Sequence, residues 1–248
     1  MKTTLFLLAG ALAVSAQNIT IPATDGSLPA GGANGCAAGY EPGTDTVLFT
    51  VPYTYTQVLS IIGNYTNLTW SGSPDNSVTT NCSSALSNNA WVPGCARTYD
   101  VAGAHVIETI TVYDKPATGP YVEVHTLAPL SIPSAGLLFY GDYDAQLWQP
   151  ICGGAATTTN FTINFCANNA TAAAAVLHGL HLTDAQTVGK FLGGQNFTSC
   201  AALNGTGTSG GSSTPSVVPY TGAAVAFGGS ALAVGVVAGA VAFAAAML

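Results

Sequence analysis

The chain has 248 residues, of which 48% are hydrophobic and only 6% are charged. Ordinary soluble domains carry about a quarter charged residues, and disordered chains are poor in hydrophobic residues, so this composition fits neither class. Four basic residues stand against eleven acidic ones, which excludes the Lys/Arg clusters that nucleic-acid binding requires.

The first residues are typical of a secretory signal peptide. Lys2 supplies the positive start, and residues 5–14 form a hydrophobic run too short to span a bilayer. Val14 and Ala16 place small or aliphatic groups before the expected cleavage site at Gln17. We therefore expect residues 1–16 to be removed and residues 17–45 to form an irregular N-terminal arm.

The secreted chain is expected to be oxidised and glycosylated. Its six cysteines predict three disulfides in any of fifteen connectivities, and sequence separation favours Cys82–Cys95, Cys152–Cys166 and Cys36–Cys200. No C-x-x-C motif occurs, and we expect neither a metal nor another cofactor. Eight N-x-S/T sequons predict N-glycans on the surface. They are at Asn18, Asn64, Asn67, Asn81, Asn160, Asn169, Asn196 and Asn204.

Residues 46–203 are expected to form one domain. Residues 46–51 predict a strand, and residues 54–63 predict a short helix with a Thr54/Gln57 capping box. A long polar loop over residues 70–93 follows. Strands at residues 96–101 and 104–114 flank a tight turn, and counting outward from that turn places Arg97 opposite Glu108. Tyr99 shares their face.

The second half of the domain adds strands and helices. Residues 121–127 predict a strand, and residues 157–167 predict another because Phe161 and its odd-numbered neighbours are apolar. Thr183 and Gln186 form a second capping box, so we expect one helix at residues 170–181 and another at 184–192. Strand, short helix, antiparallel strands and C-terminal helix together predict an α+β fold.

That order resembles the helix-grip fold of the START and polyketide-cyclase-like (SRPBCC) superfamily. The most specific likeness is in residues 94–112, where Gly94, Arg97, Gly103 and Glu108 match a run found across a hairpin in many members. The resemblance implies a curved antiparallel sheet around a helix, with an apolar cavity between them. Members mostly bind lipids, sterols or aromatic polyketides, and only some are enzymes, so fold alone does not give function.

The C-terminal region is typical of a glycosylphosphatidylinositol (GPI) signal. Residues 204–222 form a small, polar linker with Ser209 or Gly210 as the expected attachment residue, and residues 223–248 form an uncharged hydrophobic tail. A transmembrane helix is the alternative, but no Lys or Arg follows the tail. We expect the tail to be exchanged for a GPI lipid. The protein would then lie on the outer leaflet of the plasma membrane or in the cell wall, as in small fungal GPI-anchored proteins.

The first candidate site contains Arg97 and Glu108. The Arg97 guanidinium could hold a ligand carboxylate or phenolate in a mostly apolar cavity, with Glu108 orienting the guanidinium and with Tyr99 and Phe161 in the lining. The alternative, which we favour for the pair, is a structural cross-strand ion pair. A non-enzymatic domain that binds a small apolar ligand is our leading prediction.

A second candidate surface contains Tyr140, Tyr143 and Trp148. On an exposed loop these aromatics could stack on cell-wall polysaccharide, which would make the protein a wall-structural or glycan-binding protein. The alternative is that they cover the core. Asp142 and Asp144 lie between them and would share one face of an extended segment, as a cation site or a solvated acidic loop.

The remaining polar candidates are histidines. His178, His181 and Asp184 have helical spacing that suits a metal, but the cap expected at Thr183 would break their alignment. His105 is expected on the face opposite Glu108, so those two do not form a dyad. A cyclase-like or hydrolase-like enzyme is therefore our third prediction.

Overall fold

The computed structural model describes residues 27–72, 77–101 and 103–204. The expected signal peptide, the linker with Ser209 and Gly210, the hydrophobic tail and Asn18 lie outside this range. Among the described residues, the search for a helix long and apolar enough to cross a membrane finds none.

A curved sheet of seven antiparallel strands carries the fold, in the order β1-β7-β6-β5-β4-β3-β2. A short helix follows the first strand, and a long helix follows the last strand, so the predicted α+β fold class is confirmed. The elements are β1 (Glu41–Val51), α1 (Tyr55–Ile62), β2 (Thr79–Thr80), β3 (Ala96–Val101), β4 (Ala104–Asp114), β5 (Tyr121–Ile132), β6 (Leu137–Ile151), β7 (Ala156–Ala167), α2 (Ala170–Phe191) and α3 (Cys200–Asn204).

Helix α1 begins as its sequence predicts. The Thr54 side chain accepts from the Gln57 amide, and the Gln57 side chain accepts from the Thr54 amide, so both halves of the capping box form. This reciprocal bonding satisfies two amides that the helix start would otherwise leave unpaired. The predicted turn between β3 and β4 also sets their register, with Arg97 directly opposite Glu108.

Helix α2 is continuous, so the prediction of two helices was wrong. The Thr183 hydroxyl donates to the Gly179 carbonyl inside the helix instead of capping a new one. The true N-cap is Asn169, whose side chain accepts from the Ala172 amide. Near its other end, Gly189 lets α2 approach β1, since a Cβ there would lie 3.3 Å from Val51.

Strand β6 corrects a second prediction, because residues 139–148 belong to the sheet rather than to an exposed loop. The β6–β7 register shifts between Gly141 and Tyr143. This irregularity exposes Asp142 and buries Asp144, so the two carboxylates do not share a face as expected. Tyr143 is 41% exposed, but Trp148 is 0% exposed.

Tyr140 is also buried, at 4% exposure, which completes the correction of the glycan-stacking surface. Its hydroxyl accepts from the Ala37 amide, and its ring meets Tyr40 edge-on. Since Tyr140 and Trp148 are buried, the three aromatics form no common exposed surface. Tyr140 and Trp148 pack in buried clusters, as in the alternative interpretation, whereas Tyr143 stays exposed.

All six cysteines are paired, which confirms the predicted number of disulfides. Cys82–Cys95 forms as expected and closes part of the long loop. The other two predicted pairings were wrong, because Cys36 pairs with Cys166 and Cys152 pairs with Cys200. The first of these ties the N-terminal arm to β7, and the second ties α3 to the turn between β6 and β7.

Candidate functional site

Polar side chains converge on the inner face of the sheet, where β3 to β6 lie under α2. Each strand contributes at least one of them, and neighbouring strands place them side by side. His125 of β5 is in register with Asp144 of β6, and Glu123 is in register with Gln146. We call this set the charged cluster, and every member is buried. It consists of Arg97, Glu108, Glu123, His125, Asp144 and Gln146.

Arg97 is fully engaged by the protein itself. Its Nε donates to Glu108 Oε2 at 2.5 Å, and its Nη2 lies 3.2 Å from Glu123 Oε1. Its Nη1 donates to the Tyr65 carbonyl at 2.7 Å, and the guanidinium lies over the Tyr65 ring. Each guanidinium nitrogen of Arg97 therefore already has a protein partner, and the interpretation as a structural ion pair describes Arg97 better than a ligand-binding role.

His125 lies among three carboxylates. Its Nε2 is 3.3 Å from Glu108 Oε1 and 3.3 Å from Asp144 Oδ2, and its Nδ1 is 3.5 Å from Glu123 Oε1. The residue is only 5% exposed, and neither ring nitrogen makes a hydrogen bond of good geometry. Buried polar atoms normally have hydrogen-bond partners, so the two nitrogens of this imidazole are an exception.

The charges within the cluster lower the pKa values of its two glutamates and raise the pKa of its histidine. Burial raises the pKa of Glu108, but the positive charges of Arg97 and His125 outweigh burial and hold it well below its ordinary value. The pKa of Glu123 is lowered against burial in the same way. Burial lowers the pKa of His125, but Glu108 and Asp144 reverse this and raise it well above its ordinary value.

Helix α2 contributes two further titratable groups. The His181 ring stacks on the Phe161 ring at 5.1 Å between centroids, its Nε2 lies 3.8 Å from Asp144 Oδ1, and its Nδ1 has no partner. Asp184 lies one turn further along. Burial, and then the charges of Glu108 and Asp144, raise the pKa of Asp184 well above its ordinary value, which favours its protonated form.

Two adjoining cavities open beside these groups. A polar cavity of about 60 Å³ is lined by every member of the cluster except Glu123, and an apolar cavity of about 120 Å³ lies toward the turn between β3 and β4. The residues common to both are Ser71, Tyr99, Glu108, Asp144, His181 and Asp184. The polar cavity thus forms one end of a longer, otherwise apolar space.

All four residues of the predicted ligand site line the polar cavity: Arg97, Tyr99, Glu108 and Phe161. Their binding of a ligand stays a prediction. Sequence reasoning missed Glu123, His125 and the inward position of Asp144. The sequence of β5 could have indicated Glu123 and His125, because they alternate with valines in a strand of a chain that has very few charges.

The other histidines lie away from the cluster. His178 is exposed and pairs with Asp45 at 3.1 Å, so it does not join His181 and Asp184 as the helical spacing suggested. His105 is exposed beside Asp100, on the face opposite Glu108 as expected.

The described sequons differ in exposure. Asn64, Asn81, Asn169 and Asn196 are exposed, whereas Asn67 and Asn160 are half-buried. The Asn67 amide donates to the Ile61 carbonyl, so Asn64 is the better acceptor of the two neighbouring sites.

Comparison with known proteins gives only distant structural likeness. No family model matches the chain, and no curated protein matches it in sequence. The protein XoxI from Bacillus cereus is 12% identical with a TM-score of 0.39, over 60% of this chain and 94% of that one. An uncharacterised protein from Rhizobium leguminosarum is 11% identical with a TM-score of 0.42, and the match covers 62% of this chain and 97% of that one. Similarity at this level says nothing about what this chain binds.

Proposed function

We propose that the chain is a GPI-anchored surface glycoprotein whose domain binds a small ligand with an apolar body and a polar head. The single observation that carries the binding function is the pair of adjoining cavities, one polar and one apolar, which share six lining residues. Apolar pockets with a few convergent polar groups are the usual form of small-molecule sites. No catalytic step is needed for this function.

The apolar cavity accounts for the body of the ligand. Its remaining walls come from strands β3 to β6 and from α2. They are Val101, Ala104, Val106, Leu127, Leu130, Ile132, Phe139, Leu177 and Leu180. Typical small-molecule pockets measure about 300–1,000 Å³, so cavities of about 60 and 120 Å³ suit a molecule smaller than a sterol or a lipid chain.

The polar cavity determines which kind of head group the ligand can carry. Glu108 and Asp144 line this cavity, and Glu123, which does not line it, lies beside Arg97 and His125. Against Arg97 and a protonated His125, these three carboxylates leave formal negative charge in excess by one. Since each guanidinium nitrogen of Arg97 already contacts the protein, the net negative charge of this end disfavours an anionic head. A neutral or cationic head that donates hydrogen bonds, such as a hydroxyl or an amine, is the chemistry that this end accepts.

The extracellular address is supported by the chemistry of the domain. All six cysteines form disulfides, which persist in oxidising compartments. Four of the described sequon asparagines are exposed, as N-glycans require. The GPI anchor itself rests on the sequence of residues 204–248. A cell-wall role also stays a prediction, without the aromatic surface.

The binding function is tested with two ligands that share one apolar body. Fluorescence titration of the secreted protein, in buffer containing EDTA, should show 1-naphthylamine binding at least tenfold more tightly than 1-naphthoate. Ala104→Leu, which fills the apolar cavity, should abolish this binding. Ala135→Leu adds the same volume at an exposed turn and should leave binding unchanged. Absence of naphthylamine binding, or tighter binding of naphthoate, would refute the proposal.

One observation favours an enzyme as the second candidate. The pKa of Asp184 is raised and that of Glu108 is lowered beside the same cavity. Such a pair can supply a proton donor and a proton acceptor to one bound molecule. Native mass spectrometry of the deglycosylated protein would identify any molecule that copurifies. Conversion of that molecule when it is returned to fresh protein, and loss of conversion in Asp184→Asn, would assign an enzyme.

A further inference from the structure

The donor atoms of Glu108, His125 and Asp144 have the spacing of a metal site. One ligand atom from each residue lies within 4.8 Å of the other two. His125 Nε2 is 3.3 Å from an oxygen of each carboxylate. Zinc-to-ligand bonds of about 2.0–2.2 Å at a tetrahedral angle place neighbouring donors about 3.3–3.6 Å apart. The observed spacing therefore leaves room for an ion between these atoms.

The unpaired imidazole supplies a second, independent observation. His125 is buried and lines the polar cavity, and both of its ring nitrogens are without a hydrogen bond. An ion pair of ordinary quality would satisfy at least one of them. A metal ion at Nε2 would displace the proton that Glu108 and Asp144 favour there in the metal-free protein, and would use the lone pair so released.

The surroundings of the three donors match the support that metal ligands usually receive. Glu123 Oε1 lies 3.5 Å from His125 Nδ1, the ring nitrogen that does not face Glu108 and Asp144, although the two atoms make no hydrogen bond at this distance. Carboxylates in this position commonly fix the tautomer and orientation of a ligating histidine. Glu108 is held in turn by the Arg97 guanidinium and by the Tyr99 hydroxyl at 3.0 Å.

Formal charge also favours a dication. Arg97 and Glu123 cancel each other, which leaves the carboxylates of Glu108 and Asp144 around a histidine. One divalent ion would neutralise these two negative charges. Mixed nitrogen and oxygen donors suit zinc and its transition-metal neighbours better than magnesium or calcium, which prefer oxygen alone.

We propose that Glu108, His125 and Asp144 bind one divalent transition-metal ion, with zinc(II) as the reference ion, and that a fourth coordination position faces the cavity. Three protein ligands and one open position are the arrangement of catalytic rather than structural zinc sites. The ion would then meet the polar head of a molecule held in the apolar cavity. The proposal goes beyond the binding function and is tested without any organic ligand.

The experiment uses the full chain, secreted without a histidine tag, stripped with EDTA and dialysed. Isothermal titration with zinc chloride should show one equivalent bound per chain, whereas magnesium chloride should give no comparable heat. Asp144→Asn should weaken zinc binding at least tenfold. Asp142→Asn is the matched control, because this exposed aspartate lies two residues away on the same strand and should change affinity less than twofold.

X-ray absorption on the zinc-loaded wild-type chain keeps the proposal falsifiable if Asp144→Asn fails to fold. We expect a first shell of nitrogen and oxygen only, with the outer scattering of one imidazole. A sulfur shell, or a shell of water oxygens without imidazole, would overturn the proposal. So would the absence of stoichiometric zinc binding, or equal zinc affinity in folded Asp144→Asn and the wild type.

Discussion

At the scale of single residues, Arg97 is the side chain on which the charged cluster depends most. It contacts Glu108, Glu123 and the Tyr65 carbonyl from a fully enclosed position. Arg97→Met should lower the free energy of unfolding by about 3–5 kcal/mol, because it leaves two buried carboxylates without their cation. Urea denaturation in the presence of EDTA measures this loss.

A double mutant separates charge from packing in that prediction. Arg97→Met combined with Glu123→Gln removes one of the two stranded charges and should recover part of the lost stability. If the double mutant is as unstable as the sum of the single mutants, the cost lies in packing, and the assignment of Arg97 to charge pairing is wrong.

Half-buried Tyr113 and buried Tyr121 give a prediction in alkaline solution. Burial, and then the charge of Glu123, raise the pKa of Tyr113 to about 12 and that of Tyr121 well above its ordinary value. A raised pKa in the folded state stabilises the protein below the unfolded value of about 10 and loses this contribution as pH rises through the folded value.

Absorbance at 295 nm against pH should therefore show several phenols, Tyr113 and Tyr121 among them, that ionise late in the folded protein and normally in urea. Tyr113→Phe should remove one late step. Ionisation of all phenols near pH 10 while circular dichroism still reports a folded chain would contradict the prediction.

How much of the site the sequence predicts depends on how far apart the partners lie. Arg97 and Glu108 face each other across a two-residue turn, so counting along the chain finds them. Two register shifts separate the pair His125 and Asp144 from the turn that joins β5 and β6, so counting outward from that turn does not find it. Such shifts follow from packing of the whole sheet, and local propensity carries no information about them.

At the scale of elements, Asn169 carries two functions that substitution can separate. Its side chain caps α2, and it is also a sequon asparagine. Asn169→Ala should lower the free energy of unfolding by about 1 kcal/mol through loss of the cap. Asn169→Asp removes the sequon but keeps the capping oxygen, and should cost much less. Equal losses in both variants, measured by urea denaturation, would show that the glycan and not the cap is responsible.

The two mispredicted elements, α2 and β6, have different physical causes. The Thr183/Gln186 pattern satisfies the rule for a helix start, but burial of the α2 face that holds His181, Ala185 and Val188 favours a continuous helix over a new cap. In β6 the register shift disturbs the alternation that identifies a half-buried strand. Elements with an undisturbed pattern, such as β7 with Phe161 and Ile163, follow the sequence closely.

At the scale of the whole molecule, the disulfides should contribute unequally to stability. Cys36–Cys166 joins residues 130 apart, whereas Cys82–Cys95 joins residues only 13 apart. Loop-closure entropy makes the longer link more stabilising by about 2 kcal/mol. Paired alanine substitution of each bridge, followed by urea denaturation, should give this order. Equal losses, or a larger loss for Cys82–Cys95, would contradict it.

The bridge between Cys152 and Cys200 has a mechanical consequence. α3 ends at Asn204, and any tension applied to the chain from beyond that residue, as by an attachment to a surface, reaches Cys200 first. The covalent link passes that tension to the turn between β6 and β7, two strands inside the sheet, instead of pulling on the last turn of α2. A load applied to the chain in this way would thus bypass the helix that closes the cavity, and the lining would keep its shape.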